Sequence, residues 1–306
     1  MGVTVPDPRA ALRTLARAAD PGDGEPVAVG DLVDLGSSDP GLFGPDSAAW
    51  RLHGDAAMVI GGFRSLLLQA LHPAVMAGVA DHSSYREDPF GRLERTSRFL
   101  VTSVFGTTAD AERAIATVKR VHRRVTGTTP DGTPYDASDP HLVTFVHVTE
   151  VDSFLAANRA YGRRPLAPGD ADRYCAEMAE VAERLGGGGV PRTAAATRRW
   201  LAQQRSELRL DRNGRAALRF VLNPPVPLRA RPAHAAVATA AVGLLPLWAQ
   251  RALLLPAVPP VDVLVVRPGV NAMLAAFHWA FPRQAGSLAA ARAAAIASGG
   301  GRADAP

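Results

Sequence analysis

Two of the eight histidines in this chain, His122 and His147, fall inside helical stripes that are otherwise apolar. His122 belongs to the series Ala111, Ile115, Val118, His122, Val125, a 4,3,4,3 spacing that marks one face of a helix. His147 shares a face with Val143, Val151 and Phe154. Imidazole titrates near neutral pH and is the commonest protein ligand for transition metals, so an inward ring needs a reason. One reason is a backbone carbonyl that satisfies a core histidine. The other is a metal, and in a helical protein a lone inward imidazole is a common way to hold a haem iron. Arg92 and Thr96, four residues apart, share a face of the preceding helical pattern. Spacing alone also allows a solvated arginine and a threonine bonded within its own helix. Arg95 lies on the same pattern, and His72 and His82 lie close by in the chain.

Other chemistries leave no mark. The chain has no Gly-x-Gly-x-x-Gly, no phosphate-binding P-loop and no Gly-x-Ser-x-Gly elbow. It has no histidine pair four apart, and no glutamate is followed by histidine three residues later, which a ferritin-like di-iron site requires. Cys175 is the single cysteine, so neither a disulfide framework nor a thiolate cluster can form within the chain. The net charge of +5 comes almost wholly from arginine, since Lys119 is the sole lysine, and no basic run is interleaved with aromatics. Nucleic acid is therefore not an expected partner.

The elements that position these residues read as helices. Of the 306 residues 47% are hydrophobic and only 6% aromatic; alanine and leucine dominate, and β-branched runs of strand length are scarce. An all-α fold in one globular domain over 46–298 is expected, after a flexible leader over 1–45 and before a disordered tail over 299–306. Ordered structure is expected from 46–55, followed by a buried helix over 56–70 that stops at His72-Pro73 because proline disfavours helical backbone before it. Pro73 opens a helix over 74–80, and Asp88-Pro89 caps one that ends at Gly106. Thr107 or Thr108 caps the helix carrying His122, with Gly127 as its stop. A turn-rich loop over 128–137 leads to a helix that starts at Ser138-Asp139-Pro140 and carries His147 to about Tyr161. Further helices are expected over 170–185, 193–208 and 268–281. The apolar segment 233–249, broken by Pro246, is short for a membrane span and reads as a buried helix. The N-terminus lacks the continuous apolar stretch of a signal peptide, and the cytosol is the expected compartment.

The ordered set of local motifs resembles the family of latex-clearing rubber oxygenases and MpaB-type oxygenases. The matching residues are Gly61-Gly62-Phe63-Arg64, Leu68-Gln69-Ala70-Leu71-His72-Pro73-Ala74-Val75 and Gly78-Val79-Ala80-Asp81-His82-Ser83. They continue with Arg92-x-x-x-Thr96, Val121-His122-x-x-Val125, Tyr135, Phe145-Val146-His147, Val151-Asp152-Ser153 and Tyr174. The resemblance implies a globin-related helical bundle around haem b, with its iron held by His122. It implies O₂ activation and oxidation of a hydrophobic small molecule or isoprenoid, with an electron donor as partner. Arg92 and Thr96 correspond to the family's Arg-x-x-x-Thr motif and would orient a propionate, a bound oxygen species or a helix contact. His147 is the other candidate axial ligand, and His82 joins the cofactor-binding set. The distal lysine of the rubber oxygenases falls near Arg95, and arginine, always protonated, is a poor iron ligand. Their catalytic glutamate has Glu87 as its one candidate here. Both departures argue against cleavage of rubber itself. The competing reading is a non-catalytic haem- or lipid-binding helical protein.

Overall fold

The computed structural model describes residues 33, 34, 36–82, 89–256, 261–280 and 287–300; side chains of 89–94, 277, 278, 280, 287, 299 and 300 lie outside that set. The elements are α1 (Ala48–His53), α2 (Met58–Gln69), α3 (Pro73–His82), α4 (Pro89–Phe105) and α5 (Thr108–His122), then a hairpin of β1 (Thr126–Thr128) and β2 (Pro134–Asp136). They continue through α6 (Pro140–Tyr161), α7 (Pro168–Leu185), α8 (Ala194–Gln203), a 3₁₀ turn (Gln204–Glu207), α9 (Arg212–Leu222) and α10 (Arg231–Gly243). Last come α11 (Leu247–Ala252), a π-turn (Asp262–Val266) that runs into α12 (Arg267–Ala280), and α13 (Ser287–Gly300). The fold is all-α apart from the hairpin, as the composition predicts.

Local chemistry sets most boundaries. The Ser47 hydroxyl accepts from Trp50 N and opens α1. Thr107 and Asp110 form a reciprocal capping box on α5. Asp139 accepts from His141 N, and Pro140 takes the first turn of α6. At the other end of α7, Gly186 turns the chain with φ +108°, a conformation that glycine adopts without strain.

Helix α6 is the axis of the molecule. Its Phe145, Val148, Ala157 and Tyr161 join a core built with α2, α3 and α8 to α12. Val151, Phe154 and Leu155 face a second core formed with α1, α4, α7 and α13. The closest neighbour of α6 is α2, and the two are locked by polar contacts as well as by packing. Arg64, only 3% exposed, pairs with Asp152 at 2.8 Å and donates to Ser153 Oγ (2.8 Å) and to the Leu244 carbonyl (2.9 Å). A side chain at Gly61 would come within 2.6 Å of the Phe154 ring, so glycine is required where the helices cross.

Several expectations are corrected. The loop over 128–137 is instead part of the hairpin, with Gly127 opposite Tyr135. Helix α5 ends at His122 rather than running to Gly127, because the chain turns at 123–124 to enter β1. Gly127 is needed for another reason: any side chain there would meet the Tyr135 hydroxyl at 2.8 Å. The 193–208 helix breaks into α8 and a 3₁₀ turn, and Pro246 splits the 233–249 segment into α10 and α11. Among the described residues no single helix is long and apolar enough to cross a membrane; α2 and α3 reach that length only as a pair bent by 103°. Of the leader and tail, 1–32 and 301–306 lie outside the described residues, while Val33 is buried and Gly299 and Gly300 belong to α13.

Candidate functional site

His122 is the last residue of α5, half-buried where the helix hands over to the hairpin. Ile115 and Ala111, about two and three turns before it, are buried, and Val118 and Val125 are half-buried, so the predicted stripe does face inward. Its Nδ1 is buried with no hydrogen-bond partner among the described residues. Burial holds the ring's pKa below its usual value, partly offset by the Asp136 carboxylate at the end of β2. The hairpin beside it is pinned to α3. Tyr135 donates to Asp81 Oδ2 (2.7 Å), and burial together with that carboxylate pushes the phenol up to about 12. His82 Nε2 donates to the Thr126 carbonyl (2.9 Å), since a carbonyl can only accept. An open groove of ≈ 300 Å³ is lined by Ala74, Pro134, Tyr135, Asp136, Asp139 and Leu142.

His147 is buried on α6, where desolvation lowers its pKa to about 4 and keeps it neutral at physiological pH. The two inward histidines do not sit on a helix pair of their own. Helix α5 packs chiefly on α4 and α7, whereas α6 packs on α2, α7 and α8.

A second set of polar groups lies beyond the expected residues. Glu150, three residues after His147 and so on the same side of α6, has its pKa raised by burial to about 7. Burial above all, with a smaller contribution from Glu150, lifts the Tyr174 phenol well above its ordinary range. Tyr174 shares a hydrogen bond of 3.1 Å with His53 Nε2, and burial lowers His53 to about 3. The His53 ring also meets Phe154 edge-on at 5.2 Å. Glu150 and His53 are both half-buried. A carboxyl that titrates near 7 is suited to carrying protons. The signal for Glu150 was present in the chain as an acid one helical turn beyond an inward histidine; the other acid nearby, Asp152, is taken by Arg64.

The remaining expected residues are on α4. Thr96 and Arg95 occupy exposed positions and take part in interactions there, and the Arg92 side chain and Glu87 lie outside the described residues. Thus His122, the hairpin and His82 come together at one end of α5, while His147 and Glu150 lie along α6.

Comparison with known families gives a match over residues 50–279 to the family described as ER-bound oxygenase mpaB/B'/Rubber oxygenase, catalytic domain. No curated protein and no solved structure matches significantly. The match spans α2 to α11, with His122, His147 and Glu150, and it supports oxygenase activity in general. By its sequence over most of its length, the chain belongs to the mpaB/rubber oxygenase catalytic-domain family.

Proposed function

We propose that this protein is a haem b-dependent oxygenase that oxidises a hydrophobic small molecule or isoprenoid, and that His122 is the residue that would hold the haem iron. The observation that carries the reading is the buried Nδ1 of His122, which lacks a hydrogen-bond partner among the described residues in a chain of an oxygenase family. Burial disfavours the charged imidazolium and so favours the neutral ring that has a lone pair to offer, while the Asp136 carboxylate pulls weakly the other way. The donor set therefore fits haem. When bound, ferrous haem supplies the site of O₂ activation.

The chain's own residues do the rest. Glu150, with a pKa of about 7, holds or releases a proton on the inner side of α6. Neutral His147 lies on the same side and lines the approach. Arg92 and Thr96, by their spacing on α4, would orient a haem propionate or a helix contact. The apolar residues of α1, α4 and α7 that pack against α6 exclude water from its inner side and favour an apolar substrate. An electron donor completes the cycle.

The test is a visible spectrum of the purified protein after haem is supplied, before and after dithionite. A Soret band that disappears in His122→Ala and persists in His147→Ala is the expected result. Loss in His147→Ala alone would move the iron ligand to α6, and no Soret band in the parent protein would end the haem reading.

A further inference from the structure

The corner between α2 and α3 holds the most unusual polar side chain in the molecule. His72 is 5% exposed, its ring lies 4.6 Å from that of Phe145, and neither Nδ1 nor Nε2 has a hydrogen-bond partner among the described residues. Leaving a buried donor or acceptor unpaired costs about 1–3 kcal/mol per group, so native proteins rarely leave both nitrogens of one ring unpaired. The nearest counter-group is Glu207 Oε2 at 3.7 Å, beyond hydrogen-bonding distance. The same oxygen is 2.9 Å from His141 Nε2. One ligand atom from each of His72, His141 and Glu207 therefore falls in a cluster whose members are all within 4.8 Å of one another.

We propose that His72, His141 and Glu207 bind a divalent transition-metal ion of the Zn²⁺ or Fe²⁺ class. Two imidazoles and one carboxylate suit these ions, and three protein ligands leave coordination positions for water or a small ligand. Metal–ligand bonds of about 2.0–2.2 Å require ligand atoms roughly 3.3 Å apart in a tetrahedral site, so the widest pair must close by about 1.5 Å. The site is built for that movement. His72 is fixed by its burial, while His141 and Glu207, with side chains 39% and 47% exposed, can swing toward it. Their backbones are already anchored. His141 is in the capped first turn of α6, and its ring packs against Trp200 at 5.5 Å. The 3₁₀ turn bearing Glu207 is stitched to the α2–α3 corner by Arg209 N, which donates to the Leu71 carbonyl at 2.7 Å. The neighbouring Arg209 guanidinium is paired with Asp131, which moderates its repulsion of a cation. Burial lowers the His72 pKa to about 4, against the opposing pull of Glu207, so a neutral imidazole is available at pH 7.

This site shares no residue with the proposed haem ligands and stands or falls separately. Equilibrium dialysis of the full chain against Zn²⁺, and against Co²⁺ with its visible spectrum recorded, is the test. One equivalent bound is expected, with affinity reduced at least about tenfold in both His141→Asn and Glu207→Gln, and unchanged in His122→Ala. Both ligand substitutions are at exposed side chains, so loss of binding would not reflect unfolding; circular dichroism checks this. His72→Leu supplies a second readout. It should abolish binding, yet leave the metal-free protein as stable as the parent or more so, because it removes two unpaired nitrogens. Failure of the parent protein to bind an equivalent, equal binding by the His141 and Glu207 variants, or a marked loss of metal-free stability in a folded His72→Leu protein would overturn the proposal.

Discussion

Helices α5 and α6 both carry a histidine on an inward stripe, and they treat their polar residues in opposite ways. In α6 most of the buried polar side chains are matched, the Tyr161 hydroxyl being an exception among the described residues. Thr144 donates to the Gly188 carbonyl and accepts from Gly188 N, both at 3.0 Å. Thr149 accepts from Gln69 at 3.1 Å, Ser153 accepts from Arg64, and Asn158 Oδ1 accepts from Leu166 N at 2.9 Å. These groups hold neighbouring segments in register. In α5 the polar residues line exposed flanks, and the inward one, His122, keeps a buried nitrogen unmatched among the described residues. Matched polar groups in a core help to specify the fold; an unmatched one costs free energy and calls for an explanation, which at His122 is the proposed haem iron.

That contrast can be broken by substitution. The largest effect is expected for Arg64→Ala, which strands Asp152 between α2 and α6. Losing one partner of a buried ion pair costs about 3–5 kcal/mol, read as a fall in the urea midpoint. Gly61→Ala should cost about 1–3 kcal/mol in the same assay, since its methyl group has to displace Phe154 at the helix crossing.

A smaller effect, dependent on pH, is expected at Glu150. Unfolded, this carboxyl titrates near 4.5, and folded near 7. Between those values the native state holds a proton that the unfolded chain has released. Stability therefore falls as pH rises through that window, and the penalty is complete above about 7. Glu150→Gln mimics the protonated form at every pH. It should match the parent below pH 4.5 and exceed it above pH 7, by an amount on the order of 1 kcal/mol. His72 and His147, both lowered to about 4, have the opposite sign: they erode stability as pH falls from 6.5 toward 4. Both are present in each protein and cancel in the difference.

The smallest stability effect is expected for His122→Ala without haem, within about 1 kcal/mol of the parent. A loss as large as that of Arg64→Ala would show that His122 is a structural residue after all, and would erase the distinction between the two helices.

What could be read from the chain follows the range of the forces involved. The ends of α4, the capping box of α5 and the start of α6 depend on residues three or four apart, so Gly106, Thr107 and Asp139-Pro140 announce them. The hairpin was hidden because its three-residue strands carry little pattern of their own and are held by Tyr135 reaching Asp81, 54 residues away. The same holds for the candidate sites. An inward face for His122 follows from periodicity, but whether its nitrogens find partners depends on packing. His141 and Glu207 are 66 residues apart and meet only through the seating of the 3₁₀ turn on the α2–α3 corner.

Arg292 on α13, with no exposed surface, donates to the carbonyls of Phe105 (3.1 Å), Asp39 (2.6 Å) and Ser37. One guanidinium thereby clasps the end of α4 and a segment more than 250 residues away in the chain. Contacts of such long range are slow to form, because the intervening chain must be ordered before they close. Arg292 thus acts as a late fastening, and a protease that severs α13 should also free the loop before α1 and the end of α4. Limited digestion would then cut first at two places far apart in sequence that share a single knot.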